Sequence, residues 1–151
     1  MARCTSLCGL SVLTLTLCLL IPATALAGPL DEAKGRAHLK AVAAGDLEAL
    51  MRDYADDAYM DWIGGPLDGR YRGKDAIREV WHKFIALNKG QPRPARFDKL
   101  EAHANPKGAT IVSSAEYGGV TPVKVWHALV YRDGELGTEI WQIAPALQIA
   151  P

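Results

Sequence analysis

Two histidines stand out among the residues able to do chemistry. His127 lies in the run "VKVWHALVY", where Val123, Val125, Leu129 and Tyr131 share its parity. On a strand that places its ring on the apolar face. An imidazole there can give or take a proton near neutral pH. His38 sits on a predicted first helix, one turn before Ala41 and Val42. His127 and His38 are therefore the candidate catalytic residues. His82 falls on the polar side of a helix and His103 beside a turn, and both read as exposed. Tyr54, Trp62, Trp81 and Trp141 are the candidate ligand-binding residues, since aromatic faces suit flat apolar molecules and pockets for these carry few polar groups. Trp81 also continues the stripe Ile77, Val80, Phe84, which core packing alone explains.

The acids read differently. Asp56 and Asp57 stand at a predicted helix-to-strand joint, where carboxylates cap, turn or face water, and Asp61 follows within the strand. Glu139 has the parity of Trp141 and could be an acid near the pocket mouth, but reads first as a solvent-facing carboxylate. No close-spaced pair of histidines supports a metal site, so no metal and no cofactor are expected. The sequence has no G-x-G-x-x-G, no P-loop and no G-x-S-x-G.

Positioning these residues requires three helices and a meander. Leu30 to Ala44 reads as a helix with Ala33, Ala37, Ala41 and Ala44 on one face. Gly45 suits a left-handed cap and Asp46 the N-cap of a second helix. That helix carries Leu47, Leu50, Met51 and Tyr54 and exits at Asp56-Asp57. Ala58 to Ile63 reads as a strand, Gly64 to Gly73 as a loop able to act as a lid or as a static connector, and Lys74 to Leu87 as the third helix. Beyond "KGQPRPAR" the period falls from 3.6 to 2. Strands are predicted over Arg96–Ala104, Ala109–Tyr117, Val123–Tyr131 and Leu136–Ala144, with turns at "NPKG", Gly118-Gly119 and Asp133-Gly134. Helices followed by antiparallel strands imply an α+β domain whose helices cover one sheet face.

The opening residues read as a leader. Arg3 precedes an apolar run from Leu7 to Ile21, and Ala25-Leu26-Ala27 offers small residues for cleavage. The expected organisation is a signal peptide over 1–27 and a single domain over 28–151, secreted or periplasmic, with no stable membrane anchor. All three cysteines, Cys4, Cys8 and Cys18, lie in the leader, so the mature chain has no thiol and no disulfide. Lys plus Arg balance Asp plus Glu at 17 each. That neutrality gives no support for nucleic acid as a partner.

The strings "AGDLEALMRDYADDAYMDW", "YRGKDAIREVWHKF" and "VYRDGELGTEIWQI" resemble the nuclear transport factor 2-like superfamily, and within it the SnoaL-like and ketosteroid-isomerase-like branches. The resemblance spans about residues 31 to 145. It implies a cone: a strongly curved antiparallel sheet wrapped on three N-terminal helices, a cystatin-like α+β roll, with a pocket at the open end. It also implies a dimer through the exposed sheet face. Members include isomerases, cyclases, dehydratases and binding domains without catalysis, so fold does not settle function. The isomerase branch uses a helix Tyr, a strand Asp and a late-strand protonated Asp. Those positions fall on His38, on Trp62 with Asp61 one residue earlier, and on His127 in the common register or Ala128 with a one-residue slip. The isomerase residues are thus not retained.

The sequence supports a domain that holds a small, largely apolar organic molecule in its cone, with His38 and His127 converging on it. One alternative is a cofactor-free isomerase, cyclase or dehydratase using His127, with His38, as acid or base. Another is a non-catalytic structural or partner-binding module whose cavity is filled by its own side chains.

Overall fold

The computed structural model describes residues 27–149. The predicted leader lies outside these residues except for Ala27. The elements are α1 Ala27–Ala44, α2 Leu47–Met51, β1 Tyr54–Ile63, β2 Gly69–Arg72, α3 Lys74–Ala86, β3 Ala95–Phe97, β4 Glu101–Asn105, β5 Gly108–Tyr117, β6 Val123–Arg132 and β7 Glu135–Ile143. The strands form one curved, unclosed sheet in the order β2-β1-β7-β6-β5-β3, with β4 also on β5. All neighbours are antiparallel except β1 and β7, which run parallel. α1 packs on β5 and β4, and α3 on β1 and β2.

α1 ends as its sequence dictates. Gly45 takes a φ of 67°, and its N–H and that of Asp46 return to the carbonyls of Val42 and Ala41. The Asp46 carboxylate then accepts from the Ala49 N–H at 3.0 Å and starts α2. The buried face of α1 is not the alanine row, however. Ala33, Ala37 and Ala44 are exposed, and the chain buries Gly35, His38, Leu39, Ala41 and Val42 instead. Alanine favours a helix without saying which side is inward. Gly35 does say it: a Cβ there would lie 2.6 Å from Ile111 Cδ1.

Three other boundaries differ from expectation. α2 stops at Met51, and Tyr54 opens β1, so Asp56 and Asp57 lie exposed within the strand rather than at a helix exit. Leu47, Leu50, Met51 and Tyr54 fit one helical stripe, but the stripe cannot distinguish a fourth helical contact from the first inward residue of a strand. The predicted loop over 64–73 contains β2, a hairpin return paired with β1. The strand predicted over 96–104 is two pieces. Phe97 pairs with Ala115 and Glu101 with Val112, so four steps on one side meet three on the other, the extra residue of a bulge.

The segment "KGQPRPAR" has its own anchor. Arg93 is buried, donates through Nη1 to the carbonyls of Gly118 and Thr121 at 2.9 and 3.0 Å, and lies 4.6 Å over the Phe84 ring. It ties the β5–β6 connection to the end of α3, with burial pulling its pKa below the usual value. Among the described residues no helix is long and apolar enough to cross a membrane.

Gly108 tests the sheet. It opens β5 at φ 155°, and a Cβ there would lie 2.1 Å from the Tyr131 carbonyl oxygen of β6. Backbone cannot yield as a side chain can. Gly108→Ala is expected to cost about 2–3 kcal/mol, read as a lower urea midpoint with an unchanged m-value.

Candidate functional site

Five elements send a polar or aromatic side chain to one interior point. α1 supplies His38, β1 Tyr54, α3 Trp81, β6 His127 and β7 Glu139. None is more than 4% exposed, and Glu139 has no exposed surface at all. The Glu139 carboxylate is the hub. Its Oε1 faces His127 Nε2 in a short contact and His38 Nε2 at 3.2 Å. Its Oε2 accepts from the Tyr54 hydroxyl, and the Tyr54 oxygen accepts from Trp81 Nε1 at 2.9 Å.

Strand register explains the convergence. In β6 and β7, His127 stands opposite Trp141, and Leu129 opposite Glu139. Side chains directly opposite share a face. Trp62 of β1 lies beside Trp141 of β7 in the parallel pair, so all three strands turn the same parity inward. A shift of register between Val130 and Tyr131 brings Leu136 inward as well. Glu139 as a solvent-facing carboxylate is therefore corrected: the parity it shares with Trp141 is the inward one. That parity was the available signal.

The electrostatics follow from burial. Desolvation raises the Glu139 carboxyl above its usual range, and the charge and hydrogen bond of His38 pull it partly back. Desolvation holds His127 well below the usual imidazole value, with the nearby charge of His38 acting in the same direction. With Glu139 ionised, both rings donate through Nε2. His127 Nδ1 then carries a lone pair, and it has no hydrogen-bond partner. This is the arrangement of a base whose far nitrogen is held by a carboxylate.

His38 and His127, predicted to converge, lie with ring centroids 5.5 Å apart. Tyr54 and Trp81 join them through the hydrogen bonds above. Trp62 and Trp141 lie further along the interior, where Trp62, Trp81, Phe84 and Trp141 pack on one another at 5.0–5.7 Å. Asp61 points away from this interior. It accepts from the Tyr59 hydroxyl at 2.7 Å and pairs with Arg70 at 3.0 Å. His82 and His103 are exposed.

A groove of about 130 Å³ opens at the surface between α1 and the β3–β4 segment. Leu39 and Lys40 of α1 form one side, and Phe97 and Leu100 form the other. Its buried residues are Leu39 and Ser113, and Ser113 of β5 is the cross-strand partner of His127. Sequence reasoning passed over Ser113, whose inward parity is set by Ile111 and Ala115 on either side.

Three donor atoms, His38 Nε2, His127 Nε2 and Glu139 Oε1, lie within 4.8 Å of one another, so these residues could hold a metal ion.

The fold and the family agree. Residues 35–136 match the SnoaL-like domain, and the chain belongs to that family. Solved structures show the same architecture. An NTF-2-like protein of unknown function from Burkholderia xenovorans LB400 aligns with a TM-score of 0.61 at 20% identity, over 81% of this chain and 88% of that one. A ketosteroid isomerase-like protein from Erwinia carotovora atroseptica SCRI1043 aligns with a TM-score of 0.58 at 21% identity, over 77% and 95%. A protein of unknown function with a cystatin-like fold from Nostoc punctiforme PCC 73102 aligns with a TM-score of 0.61 at 14% identity, over 77% and 90%. These are likenesses of fold. No curated protein matches the chain by sequence.

The network around Glu139 is expected to behave as one unit. Tyr54→Phe leaves the Trp81 N–H without its acceptor and removes a donor from Glu139, at a cost of about 1–3 kcal/mol. Combined with Glu139→Gln, the two losses should fail to add by about 0.5–3 kcal/mol. Urea unfolding of the two single variants and the double variant measures this, and strict additivity would show the contacts to be independent.

Proposed function

We propose that this protein binds a small, largely apolar, oxygen-bearing organic molecule. The molecule enters by the groove beside Ser113 and meets the His127–Glu139 pair at its polar end. One observation carries the reading. A carboxylate, two imidazoles, a phenol and an indole N–H are gathered in an interior that apolar residues could fill at less cost. Removing an ionised carboxylate from water costs several kcal/mol even after relaxation, and groups buried at that cost cluster at functional sites. A second point supports the apolar, oxygen-bearing character of the molecule. Trp62 Nε1, Trp141 Nε1, Tyr117 Oη and His127 Nδ1 are buried without partners. Trp62, Tyr117 and His127 each place a ring centroid 5.0–5.4 Å from that of Trp141. Aromatic surface with spare indole N–H and phenol O–H donors, beside the His127 Nδ1 lone pair, suits a carbonyl or phenol oxygen on a flat body.

The chemistry that fits is proton transfer. His127 Nδ1 takes a proton from the bound molecule, while Glu139 orients the ring and stabilises the imidazolium that forms. The Tyr54 hydroxyl and the His38 ring fix the carboxylate. The protein works after export, with the segment over 1–27 removed. The rival reading is a non-catalytic module. The packing of Trp62, Trp81, Phe84 and Trp141 on one another favours it at that end of the interior.

Small cyclic ketones and phenols, titrated against the intrinsic tryptophan fluorescence, separate these readings. Saturable binding is expected, at least about tenfold weaker in His127→Leu, which loses a buried hydrogen bond of about 1.5–3 kcal/mol. Deuterium uptake next to the ketone carbonyl, followed by NMR, should slow by about a hundredfold or more in His127→Gln. A flat titration across the panel supports the filled module instead.

A further inference from the structure

The Glu139 hub has a second chemical use, independent of small-molecule binding. We propose that His38, His127 and Glu139 form a binding site for one divalent first-row transition ion, of which Zn²⁺ is the reference case.

The donor set fits such an ion. Two imidazole nitrogens and one carboxylate oxygen are borderline ligands that suit zinc, cobalt, nickel or ferrous iron. Magnesium and calcium require more oxygen. The geometry also fits. Metal–ligand bonds of about 2.0–2.2 Å at tetrahedral angles put neighbouring ligand atoms roughly 3.3 Å apart. His38 Nε2 and Glu139 Oε1 are separated by 3.2 Å, and all three donor atoms lie within 4.8 Å of one another. The short His127–Glu139 contact would have to lengthen to admit an ion. Each donor comes from a different element, α1, β6 or β7, so the site exists only in the folded chain. This is also why the sequence, which has no close-spaced ligand pair, does not announce it.

The surroundings are those of a supported but open site. Glu139 Oε2 is held by Tyr54, which Trp81 holds in turn, the outer hydrogen bonding that fixes a carboxylate ligand. Three protein ligands leave a fourth position for water or for an oxygen of a bound molecule. Ser113, the cross-strand partner of His127, lines the surface groove beside α1. One outer partner is missing, since His127 Nδ1 is unpaired. Such partners are worth about 10–100-fold in metal affinity, so binding should be correspondingly weaker than at a fully supported site.

The test uses the purified protein after dialysis against a chelator. Calorimetric titration with ZnCl₂ should give one ion per chain, and titration with CoCl₂ should give the intense visible bands of a four- or five-coordinate ion. Glu139→Gln and His38→Gln should each abolish both signals. His82→Ala and His103→Ala, at exposed rings outside the cluster, should leave them unchanged. Where a site variant does not fold, ring NMR of the wild-type chain gives the answer. One equivalent of Zn²⁺ should shift two of its four histidines, those unaffected by replacing His82 and His103. No uptake by the wild type, uptake undiminished in the folded site variants, or loss in the His82 or His103 controls would overturn the proposal. Each of those results leaves the fluorescence titration of the metal-free protein as it was, so the two proposals fail separately.

Discussion

A carboxylate with no exposed surface sits where α1, β1, α3, β6 and β7 meet, and the interior is arranged around its need for partners. An ion in a medium of low dielectric is tolerable only when its lone pairs are met by donors. Glu139 has four bond-forming directions, and His127, His38 and Tyr54 take three of them. Each partner is then constrained in turn. Tyr54 must begin a strand where a helical stripe was nearly complete, and Trp81 must turn its N–H toward the Tyr54 oxygen. The α1 backbone must come close enough to the sheet that Gly35 has no room for a Cβ beside Ile111.

The interior divides in character along its length. One end is polar and tied together by the hydrogen bonds of Glu139. The other is a stack of aromatic rings around Trp141, whose packing is that of an ordinary core. The junction is His127, in contact with Trp141 by ring edge and with Glu139 by ring nitrogen. The fold thus keeps a dense aromatic core and a buried polar cluster side by side in one small domain.

Much of this architecture is legible in the sequence, because periodicity, glycines and capping residues act locally. The Gly45-Asp46 joint, the amphipathic third helix and the inward face of β6 follow from neighbours within one or two turns. The misread elements share a cause. The alanine row of α1 lacks side chains large enough to define a face. Tyr54 satisfies a helical and a strand pattern equally, and the bulge between Phe97 and Glu101 obeys a partner strand that lies further along the chain. The site was half legible. Parity and resemblance single out His38 and His127, whose ring centroids lie 5.5 Å apart. Glu139 carried the same parity as Trp141, but charged residues are rarely buried unless paired, and its partners stand 12, 85 and 101 positions away.

The parallel pairing of β1 with β7 has a consequence for how the chain reaches this state. β7 lies between β1 and β6, so the sheet has a gap at its centre until the last strand is in place. Helices and the β5–β6 hairpin can form from local contacts. β1, however, has only its short β2 partner until more than seventy further residues have been made. Closing so long a loop before any contact repays it slows folding. The strand that completes the centre of the sheet is thus the last of the described strands along the chain.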